Sequence, residues 1–132
     1  MSVENEKKVT DFCNSWLNAD MAKSVQYLSE DVVYHNIPWE PVTGPAAVRQ
    51  ILDPFIHGAN CALARMDIKH TTSAGHIVMN ERVETWVKGN VKVELPVVGM
   101  FEFNDAGKIC RWHDYFDSGT AAPLMEAIRR SA

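Results

Sequence analysis

The sequence predicts an α+β fold, in which helices pack on one face of a curved antiparallel or mixed β-sheet. Two observations lead to this class. Apolar residues recur with a period of about 3.6 in the N-terminal part, whereas from residue 61 onward they alternate with a period of two. Helices that precede a meander of strands are typical of α+β proteins. With 132 residues the chain has the length of one domain, so we expect residues 1–132 to form a single domain.

Three or four helices are predicted from the apolar pattern. The first carries an apolar stripe from Val9 to Leu17 at helical spacing. A short second helix is expected over about 21–28. A third should begin at Pro45, because proline is favoured at the first position of a helix. The tail, about 121–130, indicates a short fourth helix.

Five strands are predicted. The first lies between the second and third helices, over 31–37, where Pro38 stops it. The others follow as a meander over about 62–73, 76–88, 91–103 and 108–116. A Gly-Asn turn at 89–90 indicates a tight hairpin, and the polar residues at 104–107 indicate a second turn.

Charge and composition exclude several functional classes. The chain has 13 basic and 17 acidic residues and a net charge of −4, which argues against nucleic-acid binding. No apolar run is long enough to cross a membrane. The N-terminal residues lack the apolar core of a secretory signal. Three widely spaced cysteines, Cys13, Cys61 and Cys110, suit reduced thiols, so we expect a cytoplasmic location.

Both faces of the strand predicted over 91–103 are rather apolar. One face is strongly so, and the other still carries Pro96, Val98 and Met100. The helices can cover only one face of the sheet. We therefore expect a second copy of the chain to cover the other face, giving a homodimer through the sheet.

Polar side chains interrupt three of the predicted strands. Tyr34 and Asn36 lie two residues apart and so share a face of their strand, as do Arg82 and Glu84, while Asp114 stands on a third strand. If curvature turns these faces inward, one guanidinium lies with two carboxylates and can hold both by hydrogen bonds. One acid can then stay ionised as a base while the other keeps its proton. This pattern indicates a proton-transfer site.

The same residues also have a surface interpretation. Arg82 and Glu84 suit a solvated ion pair, Tyr34 and Asn36 a strand edge, and Asp114 a turn cap. Periodicity favours the surface interpretation for Arg82 and Glu84. Against it, three separate surface placements would need three coincidences, whereas one curved sheet would explain all of them. On that strand the opposite face is the more apolar one, with Ile77, Met79, Val83 and Val87.

Metal and cofactor chemistry find no support in the motifs. The five histidines show none of the spacings that zinc sites use, and nucleotide-binding glycine motifs are absent. We therefore expect no metal and no cofactor. Cys110 falls on the predicted face of Asp114, but it has no predicted histidine partner, so a structural thiol is the better interpretation.

The polar segments resemble the limonene-1,2-epoxide hydrolase family. The matching pieces are Tyr-His-Asn at 34–36, Glu-Arg-Val-Glu at 81–84, Leu-Pro-Val-Val-Gly-Met-Phe at 95–101, and residues 107–117, which end in Trp-His-Asp-Tyr-Phe-Asp. The resemblance extends from about residue 5 to 120. It implies a cone-like fold related to nuclear transport factor 2 and ketosteroid isomerase, with a deep pocket between the concave face of the sheet and the helices.

The resemblance also implies roles for the polar residues. The aspartate that matches Asp114 is the general base, and the residues that match Tyr34 and Asn36 hold the attacking water with it. The arginine that matches Arg82 bridges the two acids. The acid that protonates the epoxide oxygen falls at Glu84, where the family has aspartate in an Arg-x-Asp arrangement. Here that side chain is longer by one methylene.

The expected function is therefore cofactor-independent opening of a small apolar epoxide to a vicinal diol. Two alternatives stay open: an isomerase or polyketide-type cyclase on the same fold, with Asp114 as the base, and a non-catalytic protein that binds small molecules. Arg82 disfavours the isomerase, because a fixed cation suits paired carboxylates better than an oxyanion hole of neutral donors. The side chains expected to form the substrate-binding wall are Trp86, Leu95, Val97, Trp112 and Phe116.

Overall fold

The computed structural model describes residues 2–18, 20–56 and 61–130. Within these ranges the α-helices are α1 (Ser2–Ser15), α2 (Met21–Ser24), α3 (Pro45–Ile56) and α4 (Ser118–Arg130). The strands are β1 (Leu28–Asn36), β2 (Val42–Thr43), β3 (Cys61–Ala74), β4 (Ile77–Lys88), β5 (Val91–Phe103) and β6 (Ile109–Tyr115). Short 3₁₀ turns at Trp16–Asn18 and Val25–Tyr27 flank α2.

The six strands form one mixed sheet in the order β2-β1-β6-β5-β4-β3. Strands β3 to β6 pair antiparallel as the predicted meander, whereas β1 pairs parallel with β6. This parallel pair places the end of β1 beside the end of β6, two strands far apart in sequence. The predicted class, a curved mixed sheet with helices on one face, is confirmed.

Four elements differ from the sequence-based expectation, and one of them is β1, which spans Leu28–Asn36 rather than 31–37. The predicted helix over 21–28 ends at Ser24, because a 3₁₀ turn at Val25–Tyr27 leads directly into β1 at Leu28. Helix α4 begins at Ser118 rather than near residue 121, since the carboxylate of Asp117 accepts hydrogen bonds from both the backbone N–H and the hydroxyl of Thr120. The two-residue strand β2 was not predicted.

An aromatic core lies between α1 and the inner face of the sheet. Phe12 stands edge-on to the rings of Trp16, Phe101 and Trp112, with ring centroids 4.9–6.2 Å apart. Val9, Phe12 and Trp16 are buried as the stripe predicted, whereas Leu17 is exposed. This cluster packs α1 against the inner face of β5 and β6.

The outer face of the sheet exposes several large apolar side chains. Met79, Val98 and Tyr115 lie there, each at least 40% exposed. The expectation that a second copy covers this face stays a prediction. None of the helices in the described ranges has the length and apolar character of a membrane span.

Candidate active site

The register of four adjacent strands brings polar side chains from distant parts of the chain into one row. Asn36 on β1 lies opposite Asp114 on β6, Asp114 opposite Gly99 on β5, and Gly99 opposite Asn80 on β4. Arg82 and Glu84 follow Asn80 on the same face of β4, because alternate residues of a strand share a face. The sheet therefore assembles the predicted polar residues on its inner face.

Arg82 joins the two carboxylates through separate nitrogens. Its Nε donates to Oε2 of Glu84 at 2.8 Å, and its Nη2 donates to Oδ2 of Asp114 at 2.8 Å. Nη1 donates to Oδ1 of Asn80 at 2.9 Å. The guanidinium thus makes one hydrogen bond to each acid and a third to an amide, rather than a bidentate pair with either acid.

Burial contradicts the surface interpretation of these residues. The side chain of Arg82 is fully buried, and those of Glu84 and Asp114 are 7% exposed. Tyr34 is buried, and Asn36 is half-buried. The apolar face of β4 that periodicity assigned to the core is instead the outer face, where Met79 is 40% exposed. Periodicity failed here because the polar side chains of the inner face bond to one another, and these bonds offset much of the cost of burying them.

Each carboxylate also accepts a hydrogen bond from an indole. Nε1 of Trp112 donates to Oδ1 of Asp114 at 2.9 Å, and Nε1 of Trp86 donates to Oε1 of Glu84 at 3.0 Å. Each acid therefore receives one N–H from Arg82 and one from a tryptophan two residues away on its own strand. These matched donors fix the orientation of both carboxylates.

Trp112 does not line the cavity, contrary to its predicted role as a substrate contact. Its ring is fully buried and stacks between those of Tyr34 and Trp16, at centroid distances of 3.9 and 5.2 Å. Tyr34 does line the cavity, and its ring stacks on that of Trp112 from the paired position of β1. Trp112 thus positions Asp114 and Tyr34 from behind.

Tyr34 and Asn36 form a hydrogen-bonded pair beside Asp114. The Tyr34 hydroxyl donates to Oδ1 of Asn36 at 2.9 Å, which turns the amide nitrogen of Asn36 away from the phenol. Burial, together with the charge of Asp114, raises the pKa of Tyr34 well above its usual value. The phenol therefore stays neutral near pH 7.

Burial and the neighbouring charges shift the pKa values of Glu84 and Arg82. It raises the pKa of Glu84, the positive charge of Arg82 opposes this rise, and the negative charge of Asp114 adds to it. Burial disfavours the charged form of Arg82, yet the charges of Asp114 and Glu84 outweigh burial and raise its pKa. Burial therefore favours the protonated form of Glu84, while Arg82 keeps its positive charge.

Asn80 and Gly99 complete the site, although the sequence interpretation missed both. Besides accepting from Arg82, Asn80 directs its amide nitrogen to Sγ of Cys13 at 3.7 Å. Burial raises the pKa of the Cys13 thiol to about 12, so it stays protonated and is no nucleophile. The period-two pattern of β4 places Asn80 on the face of Arg82, and a glycine inside a strand often marks a close approach.

Gly99 leaves the space that the Arg82 side chain crosses on its way to Asp114. A Cβ at position 99 would lie 2.5 Å from Nη1 of Arg82 and 2.7 Å from the ring of Phe101. Both neighbours are fully buried, so neither has room to move away. Any side chain at this position therefore displaces the bridging guanidinium.

Gly99→Ala is expected to lower turnover roughly tenfold or more, since displacements on the order of 1 Å in a site can cost about 10²-fold. The melting temperature should fall as well. Steady-state kinetics and thermal melts check both effects. Gly119→Ala in helix α4 is the control: a Cβ there lies 3.2 Å from Oδ2 of the exposed Asp117 and away from Arg82, so turnover should be unchanged. Normal turnover in the Gly99 variant would contradict a fixed bridge.

A cavity opens above the polar row, between the sheet and helices α3 and α4. Its empty volume, including the open space at its mouth, is about 560 Å³. Of the predicted wall, Trp86, Leu95, Val97 and Phe116 line it, together with Tyr34, Asn36, Glu84 and Asp114. The wall residues that the sequence did not single out as substrate contacts are Trp16, Trp39, Ile51, Leu52, Phe55, Ala121, Leu124 and Met125.

The two cysteines whose side chains are described lie apart from the cavity. Cys110 was expected on the face of Asp114, but a bulge opposite Glu102 and Phe103 inserts it as an extra residue, and its thiol donates to the carbonyl of Glu102. The side chain of Cys61 lies outside the described residues. In residues 2–18, 20–56 and 61–130, no three His, Cys, Asp or Glu side chains are grouped to hold a metal ion.

Comparison with known proteins shows the family to which the chain belongs. The sequence profile described as the limonene-1,2-epoxide hydrolase catalytic domain matches residues 3–129, nearly the whole chain. The chain belongs to the limonene-1,2-epoxide hydrolase family. Epoxide hydrolase EphG of Mycobacterium tuberculosis strain H37Rv is 28% identical over 106 residues, which are 80% of this chain and 68% of that protein.

Solved structures place this member of the limonene-1,2-epoxide hydrolase family in the nuclear transport factor 2-like fold. An M. tuberculosis epoxide hydrolase that is itself limonene-1,2-epoxide hydrolase-like superposes on this chain with a TM-score of 0.79 at 26% identity. The match covers 98% of this chain and 92% of that one. SalBIII, an epoxide hydrolase/cyclase-like enzyme with a role in pyran ring formation in salinomycin, has a TM-score of 0.77 at 14% identity, covering 89% and 93%. At 14% identity, the similarity to SalBIII shows a shared fold and nothing about function.

Proposed function

We propose that the protein is a cofactor-independent epoxide hydrolase that opens an apolar epoxide to a vicinal diol in one step. The observation that carries this proposal is the pair of buried carboxylates held by one guanidinium at the base of an apolar cavity. Such a pair can supply a base for the attacking water and an acid for the departing oxygen, and opening of a C–O bond by water uses both.

Asp114 is the proposed base. It accepts a proton from a water molecule while the water oxygen forms a bond to one epoxide carbon. Tyr34 and Asn36 hold that water, because their paired hydroxyl and amide lie beside Asp114 on the neighbouring strand. The bonds from Arg82 and Trp112 keep the Asp114 carboxylate aimed at the cavity and leave further lone pairs to accept the proton.

Glu84 is the proposed acid. As the C–O bond of the ring breaks, the departing oxygen takes a proton from Glu84, whose pKa burial raises. The diol leaves, and proton exchange with solvent returns Asp114 to its ionised form and Glu84 to its protonated form. Protonation during ring opening favours attack at the carbon better able to bear positive charge.

The proposal is tested by incubating the protein with a panel of terpene-like and cyclic epoxides and detecting diol by mass. Formation of diol above the rate in buffer supports hydrolysis. An isomerase or cyclase would instead give a product of unchanged mass. If no member of the panel reacts while apolar ligands still raise the melting temperature, the protein is a binding protein and the proposal fails.

The indole of Trp86 predicts a change in the pH dependence of turnover. The acid must hold its proton, so kcat/KM should fall as pH rises through the raised pKa of Glu84. Trp86→Phe removes the N–H that stabilises ionised Glu84, so this basic limb should move to higher pH.

Trp112→Phe is the matched control, because it also keeps an aromatic ring but removes an indole donor that Glu84 does not use. Kinetics in buffers of constant ionic strength measure the basic limb, which should move in the Trp86 variant and stay in place in the Trp112 variant. A basic limb that moves only in the Trp112 variant would contradict Glu84 as the acid.

A further inference from the structure

A second cavity adjoins the one that holds the acids. We call the cavity at Glu84 and Asp114 the inner chamber, and the adjoining one, on the side of α3 and α4, the outer chamber. The two share six lining residues, Tyr34, Asn36, Trp39, Ile51, Phe55 and Met125, and therefore lie next to each other. The outer chamber has about 960 Å³ of empty volume including its mouth.

The walls of the outer chamber suit an apolar ligand. Val42, Pro54 and Ile128 line it but not the inner chamber. At the junction, Trp39 and Ile51 are 39% and 37% exposed, and large apolar side chains exposed beside a site commonly mark a ligand-binding surface. The chamber adds apolar surface that a compact epoxide held at the acids would not reach.

Charge further limits what the outer chamber can accept. Among the described residues that line it, Glu40 carries the only formal charge, and no lysine or arginine is present. A carboxylate at the far end of a ligand would meet a like charge there without a compensating cation. The chamber therefore favours a neutral tail.

The inner face of the sheet forms one side of the inner chamber. Arg82 and Trp112 are fully buried on that side. A substrate whose epoxide ring lies at Asp114 and Glu84 can extend along the six shared residues toward the outer chamber, which α3 and α4 border.

We propose that the substrate is an elongated, neutral epoxide, with its ring in the inner chamber and an apolar tail in the outer chamber. This inference rests on the proposed epoxide hydrolase function and adds the substrate class. The tail would contact Val42, Pro54 and Ile128, and none of these residues takes part in the proton transfers.

The test is steady-state hydrolysis of a homologous series from 1,2-epoxybutane to 1,2-epoxydodecane. Once the chain is long enough to leave the inner chamber, KM should continue to fall, by roughly threefold to fourfold for each methylene that becomes buried. A terminal carboxylate on the longest member should remove much of that gain, whereas a terminal alcohol should not. A KM that stops falling at the shortest chains, or rises with length, overturns the inference.

A variant of the outer wall locates the effect. Ile128→Asp should raise the KM of the longest epoxide relative to that of the shortest at least tenfold. Val3→Asp makes the same kind of change on an exposed site of α1 and should leave that ratio unchanged. An unaltered ratio in a folded Ile128 variant would contradict binding of the tail in the outer chamber.

Binding of the product series separates this inference from the proposed function. The matching 1,2-alkanediols should raise the melting temperature more as the chain lengthens, whether or not epoxides react. If diols bind with this dependence but no epoxide is hydrolysed, the hydrolase proposal fails and the elongated ligand class stands. If epoxides are hydrolysed but neither KM nor diol binding depends on length, the inference fails and the hydrolase proposal stands.

Discussion

Asp114→Asn is expected to lower turnover at least about 10²-fold, the size of a general-base contribution. The amide keeps the shape of the side chain but cannot accept the proton of the attacking water. Both oxygens of Asp114 accept N–H bonds, from Arg82 and Trp112, so the amide nitrogen must face one donor. The melting temperature should therefore fall somewhat, although the remaining contacts of Arg82 keep the site assembled.

Asp117→Asn provides the matched control for this variant. Asp117 lies three residues further on, is exposed, and caps helix α4 through Thr120. Asparagine caps helices as well as aspartate does, so both activity and stability should be retained. A folded Asp114 variant with near-normal kcat/KM for diol formation would remove Asp114 from the mechanism.

Glu84→Gln is expected to lower turnover by roughly 10² to 10⁴-fold, because an amide is far too weak an acid to protonate a departing alkoxide. Glu81→Gln is the control on the same strand. Glu81 faces outward and is exposed, where it contacts His70, so its loss should not change turnover. Comparable activity of the Glu84 variant and the control would exclude Glu84 as the acid.

Glu84→Asp tests whether the site has adapted to the longer side chain. The Glu84 carboxylate reaches Nε of Arg82 at 2.8 Å and Nε1 of Trp86 at 3.0 Å, and a chain shorter by one methylene cannot keep both contacts unchanged. Turnover should fall roughly tenfold or more. Restored or improved turnover with aspartate would mean that the family geometry persists and that the Trp86 contact is dispensable.

The order of helices and strands could be predicted because it follows from local patterns. Apolar stripes indicated α1 and α3, and Pro45 marked the start of α3. Pairing between distant segments has no such local signal, which is why the parallel contact of β1 with β6 and the short strand β2 required the structure. Likewise, α2 is shorter than predicted because a 3₁₀ turn and then β1 follow Ser24 directly. Tertiary packing decides where the helix gives way to the strand.

The sequence predicted most residues of the candidate site, but it did not predict that they are buried. Same-face spacing brought Tyr34 together with Asn36, and Arg82 with Glu84, but could not decide whether those faces point inward. On β4 it favoured the wrong face, because the exposed outer face is the more apolar one. Spacing also could not separate a side chain that lines the cavity from one that lies behind it, as with Trp112.

Single-turnover hydrolysis in ¹⁸O-labelled water, with enzyme in excess over epoxide, tests direct attack by water most directly. Asp114 as a base and Glu84 as an acid require the new C–O bond to form with solvent oxygen, so the first diol should carry the label and the protein none. Mass spectrometry of the diol and of peptides containing Asp114 or Glu84 gives both readings. An unlabelled first diol with ¹⁸O in either carboxylate would show an ester intermediate and contradict the one-step mechanism.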